Sequence, residues 1–242
     1  MAHGTPDWWS GAPKETTYGL ADMAELAARL GSPVKWDRRG DVIHIDTFES
    51  GFALGATYGY GTNHAEFLSP DYSREGGLSC CLYPGSTSDK MSGIHYDLPR
   101  PPYSKIGVEF SFGLNADALY WVLKIDWYTG ATHYDARVRY DYPNKRMQYY
   151  SNAGAWVTFA TGVNLGVTTP IIHTLKLVVD FVNFLYHRCI LNQQTWDLSD
   201  YAIRATASTA SPGFTADIQV WAATGAYQYH YLDNVIITQN EP

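Results

Sequence analysis

The chain has 242 residues, a formal net charge of −7, 17% charged residues and 45% hydrophobic ones. A nucleic-acid binder carries a basic stripe, and the densest basic run here is Arg38-Arg39, so nucleic acid is excluded as a partner. No run reaches the roughly 18 apolar residues of a membrane-spanning helix, and 19 Tyr, 8 Trp, 21 Gly and 12 Pro favour strands and turns over helices.

Residues 1–40 differ from the rest. Met1 to Lys14 is rich in Gly and Pro, reads as an irregular arm, and carries the adjacent Trp8 and Trp9. Thr16 or Thr17 then caps a short helix whose apolar residues Leu20, Met23, Ala24, Ala27 and Leu30 fall at three- and four-residue spacing, until Gly31-Ser32-Pro33 stops it. The first residues lack the basic-then-apolar build of an export signal, so the expectation is synthesis and folding in the cytoplasm.

From Val42 the hydrophobic period switches to two. Strands are predicted at Val42 to Phe48, Glu66 to Leu68, Leu78 to Leu82, Ile106 to Leu114, Ala118 to Tyr128, His133 to Asp141, Met147 to Ser151, Trp156 to Ala160, Ile172 to Phe181, Tyr186 to Leu191, Ala216 to Ala223 and Tyr229 to Thr238. Tyr58-Gly59-Tyr60-Gly61 reads as a glycine-spaced aromatic loop. Turn strings such as Thr129-Gly130, Pro143-Asn144-Lys145 and Asn152-Ala153-Gly154 separate the strands. The expected domains are an arm with a helix over 1–40 and an all-β antiparallel sandwich over 41–242. Cys80, Cys81 and Cys189 are an odd count with an adjacent pair, a poor disulfide framework, and read as buried small hydrophobes.

Alternation assigns faces. Leu175, Leu177, Val179 and Phe181 point one way; Thr174, Lys176 and Asp180 point the other. Trp121, Leu123, Ile125 and Trp127 oppose Lys124 and Asp126. Tyr134, Ala136, Val138, Tyr140 and Tyr142 oppose Asp135, Arg137, Arg139 and Asp141. One sheet therefore carries an outward face of opposite charges, either cross-strand ion pairs in solvent or a polar groove for glycan hydroxyls.

Three strings carry a family resemblance. Asp46-Thr47-Phe48-Glu49-Ser50-Gly51-Phe52 opens the β region, and Tyr231-Leu232-Asp233-Asn234-Val235-Ile236-Ile237-Thr238 closes it. Between them run Lys176-Leu177-Val178-Val179-Asp180, Tyr186, Asn192 and Asp197-Leu198-Ser199. Together they resemble concanavalin A-like lectin, glucanase and carbohydrate-binding-module jelly rolls. The resemblance implies a two-sheet sandwich with its first and last strands side by side. It also implies a structural Ca²⁺ held by Asp46, Glu49 and Asp233. Met1 to Trp9, Leu20 to Leu30 and Asp37 to Val42 resemble openings of uncharacterised bacterial and phage proteins.

No catalytic constellation stands out. Glycoside hydrolysis needs two carboxylates flanking the scissile bond, and the alternating-acid strand string of jelly-roll glucanases is absent. Glu109 and Asp126 are the isolated strand acids that an enzyme would use; Asp135 and Asp141 have Arg137 and Arg139 between them. No hydrolase elbow, phosphate loop or zinc-ligand spacing occurs. What remains is aromatic: Tyr58, Tyr60, Tyr149, Trp156, Trp221 and Tyr227 are candidate sugar platforms, each a rigid apolar area with a polar tip. Trp8 and Trp9 are candidate docking residues. The first functional reading is a non-enzymatic virion or assembly component, held by its arm to its own copies or to other virion subunits. The second is a carbohydrate-binding module or lectin. The third is a glycoside hydrolase or polysaccharide lyase.

Overall fold

A computed structural model describes residues 39–242 apart from 53, 62, 75, 86–89, 115–117, 168–170 and 223–228. The arm, the helix expected within it, Trp8, Trp9 and Tyr227 lie outside the described residues. Gly40–Pro242 forms one compact unit. In chain order its strands are β1 (Asp41–Asp46), β2 (Ala56–Tyr60), β3 (Ala65–Ser69), β4 (Ser79–Tyr83), β5 (Met91–Leu98), β6 (Lys105–Gly113), β7 (Ala118–Tyr128), β8 (Thr132–Asp141), β9 (Arg146–Tyr150), β10 (Trp156–Thr161), β11 (Ile172–Asp180), β12 (Leu185–Leu191), β13 (Gln194–Asp197), β14 (Arg204–Ala207), β15 (Gly213–Ala222) and β16 (His230–Gln239). No helix among the described residues is long and apolar enough to cross a membrane.

Two eight-stranded antiparallel sheets form a jelly-roll sandwich. The back sheet runs β13-β12-β11-β6-β16-β4-β3, with β1 also on β16; the front sheet runs β10-β9-β8-β7-β15-β5-β2, with β14 on β8. The first and last strands do lie side by side, Asp41 opposite Gln239 and Asp46 opposite Val235. The middle string forms the β11–β12–β13 meander.

The strands form because each alternates, and the apolar set of each turns inward. Phe110, Phe112, Leu175, Leu177, Val179 and Leu232 of the back sheet meet Trp121, Leu123, Ile125, Trp127, Ile218 and Val220 of the front sheet, all fully buried. Trp127 stacks on Phe181 across the layers at 4.4 Å. In β16 the alternation would slip out of phase after Leu232. A bulge at Asn234, whose φ is 49°, restores it, so that Val235 and Ile237 also face inward. Asn tolerates this left-handed backbone better than most side chains do.

Buried hydroxyls tie the layers together. Tyr96 of β5 donates to Asp46 Oδ2 at 3.1 Å. The Tyr186 hydroxyl of β12 donates to the Tyr150 carbonyl at 2.8 Å and accepts from the Arg137 amide at 2.8 Å. Buried polar groups require such partners. The three cysteines are unpaired and buried, and desolvation pushes the Cys81 thiol up to about 12.

Four strands escaped the sequence reading: β2, β5, β13 and β14. The Tyr58–Tyr60 segment, expected as a loop, is strand β2, paired with β5 from Ala56–His95 to Tyr60–Met91. Glycines 59 and 93 dilute the alternation of both strands, and β-pairing overrides their low strand propensity.

Candidate functional site

The outer faces of the two sheets differ. That of the back sheet is closed over its central strands β6, β11 and β16. Glu109, Ser111, Thr174, Lys176, Arg188, Asp233 and Glu241 are all buried. Arg74 bridges Ser111 and Thr174, and its amide donates to Asp233 at 2.7 Å. Glu241 lies 2.7 Å from Lys176 Nζ and also pairs with Arg188.

The outer face of the front sheet carries polar and aromatic side chains that run from buried to exposed, in rows set by strand register, since opposed residues in an antiparallel pair share a face. One row reads Ala56, His95, Asp217, Lys124, Arg137. The next reads Tyr58, Gly93, Gln219, Val122, Arg139, Gln148, Thr158. A third reads Tyr60, Met91, Trp221, Tyr120, Asp141, Arg146.

Hydrogen bonds knit the rows. Tyr58 donates to Asp217 Oδ1 at 2.6 Å, and Gln219 Nε2 donates to Tyr58 Oη and to Asp217 Oδ2, both at 2.8 Å. Trp221 Nε1 donates to Gln219 Oε1 at 3.1 Å. This chain of donors ends on Asp217. Gly93 makes it possible: a Cβ there would stand 2.7 Å from the Ile218 carbonyl and 3.3 Å from the Tyr58 ring, which leans over β5 to reach β15. Burial pushes the Asp217 carboxyl above its usual range, against the pull of the Tyr58 and Gln219 hydrogen bonds. Burial, then the Asp217 charge, pushes the Tyr58 hydroxyl far above its own usual range.

Charge on this face runs in pairs, along the strands as well as across them. Lys124 Nζ is 2.6 Å from Asp126 Oδ2, and His133 Nε2 donates to Asp126 Oδ1 at 2.6 Å. Burial opposes ionisation of Asp126, but the His133 hydrogen bond and the Lys124 charge hold it below the usual carboxylate range. Arg137 forks onto Asp135, with Nε at 2.6 Å from Oδ1. Arg146 Nε reaches Asp141 Oδ2 across strands at 2.7 Å. Arg139 differs: its Nε donates to Gln148 Oε1 at 2.8 Å, and its guanidinium lies 4.2 Å from the Tyr120 ring and 4.3 Å from the Trp156 ring.

Of the sequence candidates, Tyr58, Tyr60, Trp221 and Trp156 gather on this face, and Tyr60 is 65% exposed. Tyr149 does not. It faces the core, stacked on Tyr201 at 4.4 Å, because its neighbour Tyr150 takes the outward position. Asp217, Gln219, His95, Gln148 and Tyr120 join the face without having been singled out. The alternation Asp217, Gln219, Trp221 against Ala216, Ile218, Val220 is the sequence signal that finds the first two.

The calcium candidates are engaged separately. Asp46 accepts from the Phe48 amide and Tyr96, Glu49 from the amides of Gly77 and Leu78, and Asp233 from those of Arg74 and Asn234. Among the described residues no group of three or more His, Cys, Asp or Glu is placed to hold a metal ion. Glu109 lies on the outer face of the back sheet and Asp126 on that of the front sheet, so the core separates these two strand acids.

No protein-family model matches the chain. No curated protein matches it either. By fold it is similar to an endo-β-1,4-glucuronan lyase from the fungus Trichoderma reesei, 10% identical, with 82% of this chain and 95% of that one covered and a TM-score of 0.58. It is similar to an alginate lyase from a Chlorella virus, 10% identical, with 82% and 100% covered and a TM-score of 0.53. It is also similar to a sialidase, 8% identical, with 83% and 19% covered and a TM-score of 0.51; the chain spans about a fifth of that protein's length. These likenesses place the fold among the jelly rolls, in line with the three sequence strings. The likeness of the N-terminal residues to phage proteins finds no support.

Proposed function

We propose that the chain binds sugar chains on the outer face of the front sheet. The carrying observation is the set of polar rows interleaved with aromatic rings: Tyr58 and Tyr60 on β2, Trp221 and Tyr120 side by side on β15 and β7, and Tyr150 and Trp156 on β9 and β10. Sugars offer apolar C–H faces edged with hydroxyls, and rigid rings beside fixed donors and acceptors complement both. Solved chains of like fold are named as lyases of glucuronan and of alginate. The virion or assembly reading drew on Trp8 and Trp9, outside the described residues, and neither the fold nor the comparisons lend it support.

Binding is favoured over turnover by how the acids and tyrosine are held. Asp126, Asp135 and Asp141 sit in ion pairs. Tyr58 donates its proton to Asp217 and resists losing it, which makes it a poor base at neutral pH.

A glycan array followed by calorimetry tests the proposal. Tyr60→Ala and Trp156→Ala are each expected to weaken binding about tenfold or more, roughly 1.4 kcal/mol, with the fold intact by circular dichroism. Absence of binding across the array overturns the reading. Release of reducing or unsaturated sugar by the wild type replaces it with an enzymatic one.

A further inference from the structure

The cations of the front face differ in what neutralises them. Lys124 has Asp126, Arg137 has Asp135 and Arg146 has Asp141. Among the described residues, Arg139 has no carboxylate at ion-pair distance. Its side chain is nevertheless held in place. Gln148 accepts from Nε and in turn donates to Thr158 Oγ1 at 3.1 Å. The Tyr120 and Trp156 rings against its guanidinium come from β7 and β10, strands on opposite sides of β8.

A guanidinium drawn half out of water with no carboxylate in contact is unfavourable, and cation–π contacts and the more distant Asp141 charge offset only part of that. The consequence is visible in proton affinity. Burial holds Arg139 below the usual arginine range, whereas in Arg137 the effect of burial is outweighed by Asp135. With Nε occupied by Gln148, the two terminal nitrogens have no acceptor among the described residues. They form a planar donor fork, which matches a carboxylate in bidentate geometry.

We infer that Arg139 receives a sugar carboxylate, so that this face selects uronate-containing chains over neutral ones. The inference rests on the glycan reading above and adds to it the chemical class of the ligand. Tyr120 and Trp156 frame the cation and shield part of it from water, which strengthens a charge-assisted hydrogen bond.

The test uses oligouronates of galacturonate, glucuronate and mannuronate, each beside its methyl ester, titrated calorimetrically into the full chain. The wild type is expected to prefer at least one free acid over its ester by roughly ten- to hundredfold, the size of a charged hydrogen-bonded pair. Arg139→Gln is expected to erase that preference, so that free acid and ester bind alike. Arg139→Lys keeps the charge without the fork and is expected to retain only part of the preference. Equal wild-type binding of acid and ester overturns the inference and leaves the glycan reading standing. A preference that survives in Arg139→Gln does the same. Binding of neither form overturns both. The wild-type comparison stands even if a variant fails to fold.

Discussion

The two outer faces of the sandwich are built from similar residues and put them to opposite ends. On the back sheet, Lys176, Arg188 and Glu241 are each less than a tenth exposed, and Arg74 lies over Ser111 and Thr174. On the front sheet, Lys124, Arg137 and Arg139 stay half-exposed among tyrosines and tryptophans. A strand's outward positions thus do not by themselves mark a binding face. What covers them decides. The layer between the sheets is stricter still, since it holds a neutral His230 whose two ring nitrogens find no hydrogen-bond partner among the described residues.

The largest expected effect breaks the closed face. Glu241→Gln removes the carboxylate that Lys176 and Arg188 share and is expected to cost about 3 kcal/mol or more in urea unfolding, as removal of one partner of a buried ion pair does. A loss below about 1 kcal/mol would show that the back face is not held by charge.

The second effect is acid sensitivity of the layer between the sheets. Burial depresses the His230 imidazole to about 4. The unfolded chain takes up this proton near 6.5. The neutral form's contribution is therefore complete above pH 6.5 and is lost as pH falls from there through about 4. The loss is on the order of 3 kcal/mol. His230→Phe should flatten the stability profile across that window, and an NMR titration of His230 near 6.5 would contradict the account.

The smallest effect concerns the open face. Asp217 titrates above its usual range, so its sign is reversed: the stability it brings is present below the unfolded value of about 3.9 and declines as pH rises through its folded value. Asp217→Asn is expected to change stability at pH 7 by less than about 1 kcal/mol and to reduce the decline as pH rises above about 4. A steeper decline would sink this account of Asp217.

How much of this was legible in the sequence varied with the local signal. The jelly roll was readable because β7, β8 and β11 alternate cleanly, with Trp121 to Trp127 one way and Lys124 and Asp126 the other. The opening and closing strings fixed which strands meet. Most of the open face was readable from the same alternation. The rest came from β2 and β5, where Gly59 and Gly93 break the pattern. Yet Gly93 is what admits the Tyr58 ring to Asp217. In sequence Tyr149 reads as a sugar platform, but period two turns it inward and its neighbour Tyr150 outward, since neighbours on a strand face opposite ways. The calcium set rests on resemblance alone; in the structure the three acids accept from separate backbone amides.

The position of β16 has a consequence in time. It is the last strand in the chain, yet it lies in the interior of the back sheet, between β6 on one side and β4 and β1 on the other. Until it has left the ribosome, the back sheet is two fragments and β1 has no partner strand. Pairing Asp41 with Gln239 then closes a loop of nearly the whole domain, the kind of long-range contact that slows folding. During synthesis the nascent chain exposes the β6 edge with Phe110 and Phe112 beside it, a template for pairing with other chains. Protection of that edge before the final ten-residue strand arrives is what productive folding of this protein demands.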